Sequence, residues 1–195
     1  MVLIITVTSV YAAWSYSQGT SAGAEVTREI NMAQVTTSGN KGTIAVTPTN
    51  FAFLVDDVDV KDYIAELVGT GSLAVNFTPA AGADASLATT GISMKATITV
   101  RTEGANLTYT GVNAADQNVT VTPVKEKASN VITLTGKGIA SDPTTLTAEQ
   151  VLSALEFCVD GEGNEVDLKL PTKAANDAFH TILKNFTIVI NITEA

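Results

Sequence analysis

The chain has little of the chemistry that most catalytic and metal sites require. Its 195 residues include one cysteine, Cys158, and one histidine, His180. A single cysteine excludes an intrachain disulfide, and a single histidine excludes an HExxH zinc motif or any two-histidine metal site within one chain. Cys158 stands between Phe157 and Val159, which predicts a buried, unreactive thiol, and we expect His180 on the surface of a helix. The sequence therefore predicts a protein that is not an enzyme.

Basic residues are also scarce. Eleven Lys and Arg stand against 20 Asp and Glu, which gives a net charge of −9 at pH 7. Binding to nucleic acid relies on clustered Lys and Arg that neutralise phosphates, so we expect no nucleic-acid partner. Hydrophobic residues make up 45% of the chain, enough for a substantial core. The composition indicates a folded protein with an acidic surface.

The chain lacks a hydrophobic run long enough to cross a bilayer as a helix, which needs ~20 residues. Its main apolar run begins at Val2 and is interrupted at Ser15 and Ser17. Many of its residues are β-branched and favour extended structure. Two interpretations stand: a buried strand, or the apolar region of an export signal whose basic start is missing, since no Lys or Arg precedes Arg28. We divide the chain into an apolar segment, residues 1–18, and a single domain, residues 19–195.

Beyond that segment the sequence alternates with a period of two in several places. In the segment from Ile92 to Thr102 (ISMKATITVRT), every second residue from Ile92 to Val100 is apolar and the residues between are polar or charged. That pattern is typical of a half-buried strand of an antiparallel sheet. Similar short segments recur along the chain, separated by Gly, Asn, Asp and Pro. The sequence predicts an all-β fold, an antiparallel jelly-roll-like β-sandwich.

About three short helices are expected to decorate this sandwich. Apolar residues recur at helical spacing in Val58–Val68, Thr147–Phe157 and Thr172–Leu183. Thr147 is suited to cap the second helix, and Pro171 suits the start of the third. The third helix leads directly into a final strand at Phe186–Ile192, so we expect an αβ unit at the end of the chain.

Two clusters of acidic residues are candidate cation sites, because hard cations prefer oxygen ligands. The first surrounds the first predicted helix (Asp56, Asp57, Asp59 and Asp62). The second lies in the loop DGEGNEVD, where the candidate calcium ligands are Asp160, Glu162, Asn164 and Asp167. This loop is not an EF-hand, since Glu165 stands where that motif requires a turn glycine. Calcium is thus the one candidate cofactor, against the simpler interpretation of a solvated turn.

The stretch VTSVYAAWSYSQGTSAG, residues 7–23, resembles the end of the signal peptide and the mature start of the TasA/camelysin family of exported biofilm-matrix fibre proteins. In that family an apolar run leads into a small-aromatic stretch such as YAxW. The C-terminal LPTKAANDAFHTILKNFTIVINITE, residues 170–194, resembles the helix-then-strand ending of related exported proteins. The middle of the chain is similar only in its strand-rich character.

The resemblance implies a sandwich that is exported by a dedicated signal peptidase and polymerises outside the cell. The N-terminal segment of one subunit would complete the sheet of its neighbour by β-augmentation, a head-to-tail contact that propagates into a filament. Accessory matrix proteins are further candidate partners. The implied donor residues at the subunit interface are Val2, Ile4, Val7 and Val10, or Trp14 and Tyr16 if cleavage occurs near Ala12 and Ala13.

Two alternatives to the fibre subunit stay open. One is an exported monomeric surface adhesin or binding module. The other is a camelysin-like metallopeptidase, since part of the family carries that activity, although one histidine gives such chemistry little support.

Overall fold

The computed structural model describes residues 28–29, 32–39, 41–59, 64–102, 108–113, 115–166, 173–183 and 185–195. The strands are β1 (Arg28–Glu29), β2 (Met32–Ser38), β3 (Gly42–Asp59), β4 (Ile64–Pro79), β5 (Met94–Thr102), β6 (Tyr109–Val112), β7 (Asn118–Glu126), β8 (Val131–Thr133), β9 (Thr144–Thr147), β10 (Leu155–Val159) and β11 (Phe186–Glu194). The helices within these ranges are α1 (Leu87–Thr90), α2 (Ala148–Leu152) and α3 (Lys173–Leu183).

The strands form three sheets, with the orders β1-β3-β4-β9, β10-β7-β6 and β2-β11-β5-β8. Neighbouring strands are antiparallel throughout these sheets, except that β2 runs parallel to β11. The inward side chains of all three sheets meet in one hydrophobic cluster, which includes Phe53, Val121 and Ile188. The predicted all-β sandwich with a few short helices is confirmed.

The alternation in the ISMKATITVRT segment is reproduced by the burial of its side chains. Ile92, Met94, Ala96 and Ile98 are buried, and Val100 is half-buried at the end of the row. β5 lies in the interior of its sheet, between β11 and β8. One face of β5 therefore supplies core residues, as its period of two predicts.

The predicted helix Val58–Val68 is wrong. The chain is extended up to Asp59 and again from Ile64, and these two segments pair with each other as the distal part of the β3–β4 hairpin. A helix of that length is marginal on its own, whereas the hairpin continues a ladder already established by the proximal part of both strands. Residues 60–63, including Asp62 of the first acidic cluster, lie outside the described residues.

A β-bulge divides this hairpin into two halves. It lies where Asn50 and Gly71 both have positive φ, 48° and 74°, and where a Cβ on Gly71 would come within 2.2 Å of the carbonyl oxygen of Asn50. The extra residue changes which positions face the core. Before the bulge an even-numbered residue, Ile44, is buried, and after it the odd-numbered Phe51 and Phe53 are buried. Because of the bulge, β3 contributes buried side chains to the core both before and after the irregularity.

The two other predicted helices are present in part or in full. Thr147 caps α2 through a capping box with Gln150, but the helix ends at Leu152, and Leu155–Val159 forms β10 against β7 instead. α3 follows its prediction closely and leads into β11, which confirms the αβ unit at the end of the chain. α1 was not predicted, because its four residues carry no periodic pattern.

Candidate functional site

The loop after β10 folds around the carboxylate of Asp160. One oxygen, Oδ1, accepts hydrogen bonds from the backbone N–H groups of Glu162 and Asn164, each at 2.9 Å. The other, Oδ2, accepts one from Nδ2 of Asn164 at 3.1 Å. These bonds hold the pKa of Asp160 below its ordinary value, with the Asn164 side chain as the largest cause. Both oxygens of the Asp160 carboxylate therefore accept hydrogen bonds from residues of the same turn.

This geometry bears on the predicted calcium ligands. Asp160 and Asn164 are brought together, but as an acceptor and a donor to each other. Glu162 is exposed and contributes its backbone N–H, and Asp167 lies outside the described residues. Among the residues that the structure describes, no three His, Cys, Asp or Glu side chains are grouped so that they could hold a metal ion. The calcium site stays a prediction.

Cys158 precedes this loop in β10, and its predicted burial is confirmed, since 4% of the residue is exposed. Burial raises the pKa of its thiol to about 12, and the negative charge of Glu165 adds to the effect. The thiolate is the nucleophilic form of cysteine, so very little of it is present at neutral pH. Burial of the thiol thus disfavours nucleophilic chemistry at Cys158.

The helix that carries His180 contributes an aromatic side chain to the core. Phe179 is buried, and its ring lies 5.7 Å from that of Tyr109 and 6.5 Å from that of Phe157. These contacts attach α3 to the β10-β7-β6 sheet. His180 lies within α3, but the surroundings of its side chain are outside the description of the structure.

The predicted donor residues, Val2, Ile4, Val7, Val10, Trp14 and Tyr16, lie outside the described residues. What the structure does describe is the set of sheet edges that such a strand would meet. An edge strand exposes unpaired backbone N–H and C=O groups, unless a side chain, a helix or a loop covers them. The state of each edge therefore decides where β-augmentation can occur.

The outer edge of β5 is covered beyond the short strand β8. The backbone N–H of Ile98 donates to the carbonyl oxygen of Asn130 at 2.8 Å, and Nδ2 of Asn130 donates to the carbonyl oxygen of Ile98, also at 2.8 Å. The next outward-facing residue, Val100, donates its backbone N–H to the Glu126 carboxylate at 2.9 Å. The backbone and side chain of Asn130 and the side chain of Glu126 thus occupy hydrogen-bonding positions on β5 that another strand would otherwise use.

The outer edge of β4 is covered in a different way. β9 pairs with Ser72–Val75, and beyond it the backbone N–H of Phe77 donates to the carbonyl oxygen of Gly138 at 2.8 Å. On the other side of β9, α2 approaches so closely that a Cβ on Gly69 would lie 2.8 Å from the backbone of Ala148. A strand, a loop and a helix therefore follow one another along this edge.

The outer edge of β3 is paired only over a short stretch in the described part of the chain. On that side β1 pairs with Leu54 and Val55 only, through Glu29 and Arg28. No strand in the described part of the chain pairs with this side of β3 between Gly42 and Phe53. β2 is the edge of the neighbouring sheet, and its chain leads through Gly39 and Lys41 into β3. At its start, the edge of β3 is flanked by the connection from β2, since a Cβ on Gly39 would lie 2.9 Å from the carbonyl oxygen of Gly42. No strand of the described residues pairs with the outer side of β2, or with that of β3 between Gly42 and Phe53.

No helix in the described ranges is long and apolar enough to cross a membrane. The comparisons with known proteins identify no relative: no protein-family model, no curated protein and no solved structure matches this chain.

Proposed function

We propose that this protein is an extracellular, non-enzymatic structural subunit, which assembles into a biofilm-matrix or cell-surface filament by N-terminal strand exchange. The observation that carries the proposal is a pairing of two features. The sequence before Arg28 contains an apolar, β-branched segment, and the outer edges of β2 and of β3 between Gly42 and Phe53 have no strand paired to them within the described ranges. A strand from a neighbouring copy would supply hydrogen-bond partners to such an edge and bury its own apolar side chains.

Head-to-tail exchange of this kind explains why a filament would result. The donor segment and the acceptor edge are different parts of the same chain. Each added copy therefore leaves either a free donor segment or a free acceptor edge at the end of the filament, to which the next copy can bind. Export to the cell exterior is part of the proposal, supported by the resemblance of residues 7–23 to an exported family. The acidic net charge of −9 would keep unassembled subunits apart and soluble.

The proposal is tested by electron microscopy of negatively stained protein. We would compare a purified chain that begins at Val2 with one that begins at Gly19 and lacks the apolar run. We expect filaments from the first and monomers from the second. Circular dichroism and thermal unfolding of both chains control for loss of the fold.

Three results would contradict this function. Monomers from both chains, with the sandwich folded, would favour the surface adhesin or binding module. Filaments from both chains would show that assembly uses another surface and that the apolar run has a separate role, such as export. Zinc-dependent proteolysis of a test protein, abolished by a chelator, would support the peptidase alternative.

A further inference from the structure

We infer that the outer edge of β3 between Gly42 and Pro48 is the acceptor site for the N-terminal segment of a second copy of this chain. The inference rests on the proposed function and adds the place where the donor strand binds. It depends on three properties of this edge: its regular register, the direction of its backbone groups, and the point at which the chain's own N-terminal segment is attached.

Several other strands end their sheets in the described part of the chain (β2, β6, β8, β9 and β10). The register of β3 distinguishes it from β2, the edge that is connected to it directly. From Gly42 to Thr49, β3 pairs with β4 without a break, from Pro79 to Ser72. β2 pairs with β11 in an irregular register, because its partners shift between Met32 and Val35. A bulge of this kind disturbs an edge and hinders the addition of a strand, so β3 offers the better template.

The hydrogen bonds of the hairpin show which backbone groups of β3 face outward. The backbone N–H of Ala80 donates to the carbonyl oxygen of Lys41 at 2.9 Å, so the alternation that follows directs Gly42, Ile44, Val46 and Pro48 away from β4. An incoming strand therefore meets three outward N–H groups before Pro48, which has none. The residues from Gly42 to Thr47 carry no charged side chain, the usual device against strand addition.

The position of β1 indicates that the donor comes from another copy. β1 runs antiparallel to β3 and pairs with it beyond the bulge, at Leu54 and Val55. The 27 residues before Arg28 are thus attached on the far side of β1 from the Gly42–Pro48 edge. To reach that edge in the same copy, they would have to reverse direction and pass β1. Fully extended, 27 residues span up to about 90 Å, enough to reach a neighbouring subunit.

Oxidative cross-linking between two differently labelled copies tests this assignment directly. The acceptor is full-length chain with Ala45→Cys, since Ala45 is exposed within the edge. Each donor is full-length chain with one substitution, Ile5→Cys, Thr6→Cys, Val7→Cys or Thr8→Cys, so that both faces of a donor strand are sampled. The control acceptor is Thr133→Cys, which is exposed on the outer strand β8. Cys158 is buried and stays unreactive.

We expect an intermolecular disulfide between Ala45→Cys and at least one donor, at a yield at least fivefold above that of the Thr133→Cys control. Equal yields with both acceptors would overturn the inference, as would the absence of any product with Ala45→Cys. A single chain that carries both Ala45→Cys and a donor cysteine distinguishes insertion within one copy: if it forms a monomeric disulfide at a yield that dilution does not reduce, the inference is also overturned.

A proline substitution gives an independent test in the full-length chain. Val46→Pro removes an outward N–H without touching the β3–β4 ladder, and Pro48 shows that this edge accepts proline. The matched control is Thr133→Pro, because Leu134 donates its backbone N–H to Met94 and the N–H of Thr133 therefore points away from β5. We expect Val46→Pro to reduce filament mass at least tenfold and Thr133→Pro to leave it within twofold of the unaltered chain.

The two proposals fail in different ways. If the unaltered chain forms no filaments, the proposed function fails and the acceptor assignment fails with it. If the unaltered chain and Val46→Pro form filaments equally well, strand exchange can still hold, but the β3 edge is not its acceptor. Loss of the circular dichroism signal in Val46→Pro leaves the decision to the cross-linking yields, which do not depend on that variant.

Discussion

The carboxylate of Glu126, at the end of β7, accepts a hydrogen bond from the backbone N–H of Val100 in β5 at 2.9 Å. It also accepts one from Nδ2 of Asn130, at 3.3 Å. Glu126 thereby connects two sheets that share no strand ladder, and it occupies a position on β5 that another strand would otherwise use. The outer edge of β5 is closed in part by such a side chain, whereas the outer edge of β3 between Gly42 and Phe53 has no strand paired to it among the described residues.

Glu126→Ala is expected to destabilise the fold by about 1–3 kcal/mol, since it leaves the half-buried N–H of Val100 without its acceptor. Glu126→Gln keeps an oxygen at the same position and is expected to lose less than half as much. Urea denaturation followed by circular dichroism measures both values. Equal losses in the two variants would show that the negative charge, and not the hydrogen bond, is what stabilises this contact.

Gly69→Ala is expected to destabilise the protein by about 2 kcal/mol or more, because the new Cβ would lie 2.8–2.9 Å from Ala148 in α2. The backbone of α2 or β4 would have to shift. Gly161→Ala is the matched control: its added Cβ has no neighbour within 4 Å, so a change within about 0.5 kcal/mol is expected. Thermal unfolding of both variants checks the difference, and similar melting temperatures would contradict the close approach of α2.

The thiol of Cys158 is expected to make stability fall at alkaline pH. Its pKa rises from 9.0 in the unfolded chain to about 12 in the fold, so between these values the unfolded state has lost a proton that the folded state retains. Unfolding is then favoured as pH increases, by up to about 1.4 kcal/mol per pH unit. Urea titrations from pH 8 to 11 measure the slope. Cys158→Ala should flatten it relative to the unaltered chain, and parallel slopes would refute the burial of the thiol.

The Asp160 turn is expected to show a carboxyl pKa below its ordinary value of 3.8. Because the folded pKa is lowered, the contribution of this carboxylate to stability is present above pH 3.8 and disappears as pH falls through the folded value. Asn164→Ala removes the largest cause and should return the pKa of Asp160 toward 3.8. Carbon-detected NMR titration measures it.

Asp84 provides the internal control for that titration. Its pKa is also lowered, but through hydrogen bonds from Ser86 in a separate turn, so Asn164→Ala should leave it unchanged. Parallel shifts at both aspartates would indicate a global change and not a local hydrogen bond. Adding calcium during the same titration tests the predicted cation site, because a bound ion would move the Asp160 resonance and leave that of Asp84 in place.

Local sequence patterns predicted an element correctly where its tertiary contacts favour the same secondary structure as its own residues do. The period of two in β5, the Thr147 cap and the αβ unit formed by α3 and β11 all belong to this class. Val58–Val68 and Leu155–Val159 do not, since their residues suit a helix equally well. Pairing with β3 and β7 decided their conformation, and such long-range partners cannot be seen in a local window.

The same distinction between local and long-range causes applies to the candidate sites. The burial of Cys158 follows from its apolar neighbours and was predicted. The closure of the β5 edge by Glu126 was missed, because nothing near position 126 indicates that its carboxylate meets a backbone group 26 residues away. The outer edge of β3 was missed for a related reason: whether a neighbour lies beside an extended segment depends on the topology, which no local pattern shows.

The position of β11 has a consequence for the order of events during synthesis. This last strand of the chain is an inner strand of its sheet, paired with β2 on one side and β5 on the other. Neither β2 nor β5 can acquire this partner until synthesis has passed residue 194, so the sheet stays incomplete while most of its strands already exist. Pairing between segments so far apart in the sequence is slow, and we therefore expect this sheet to form late in folding.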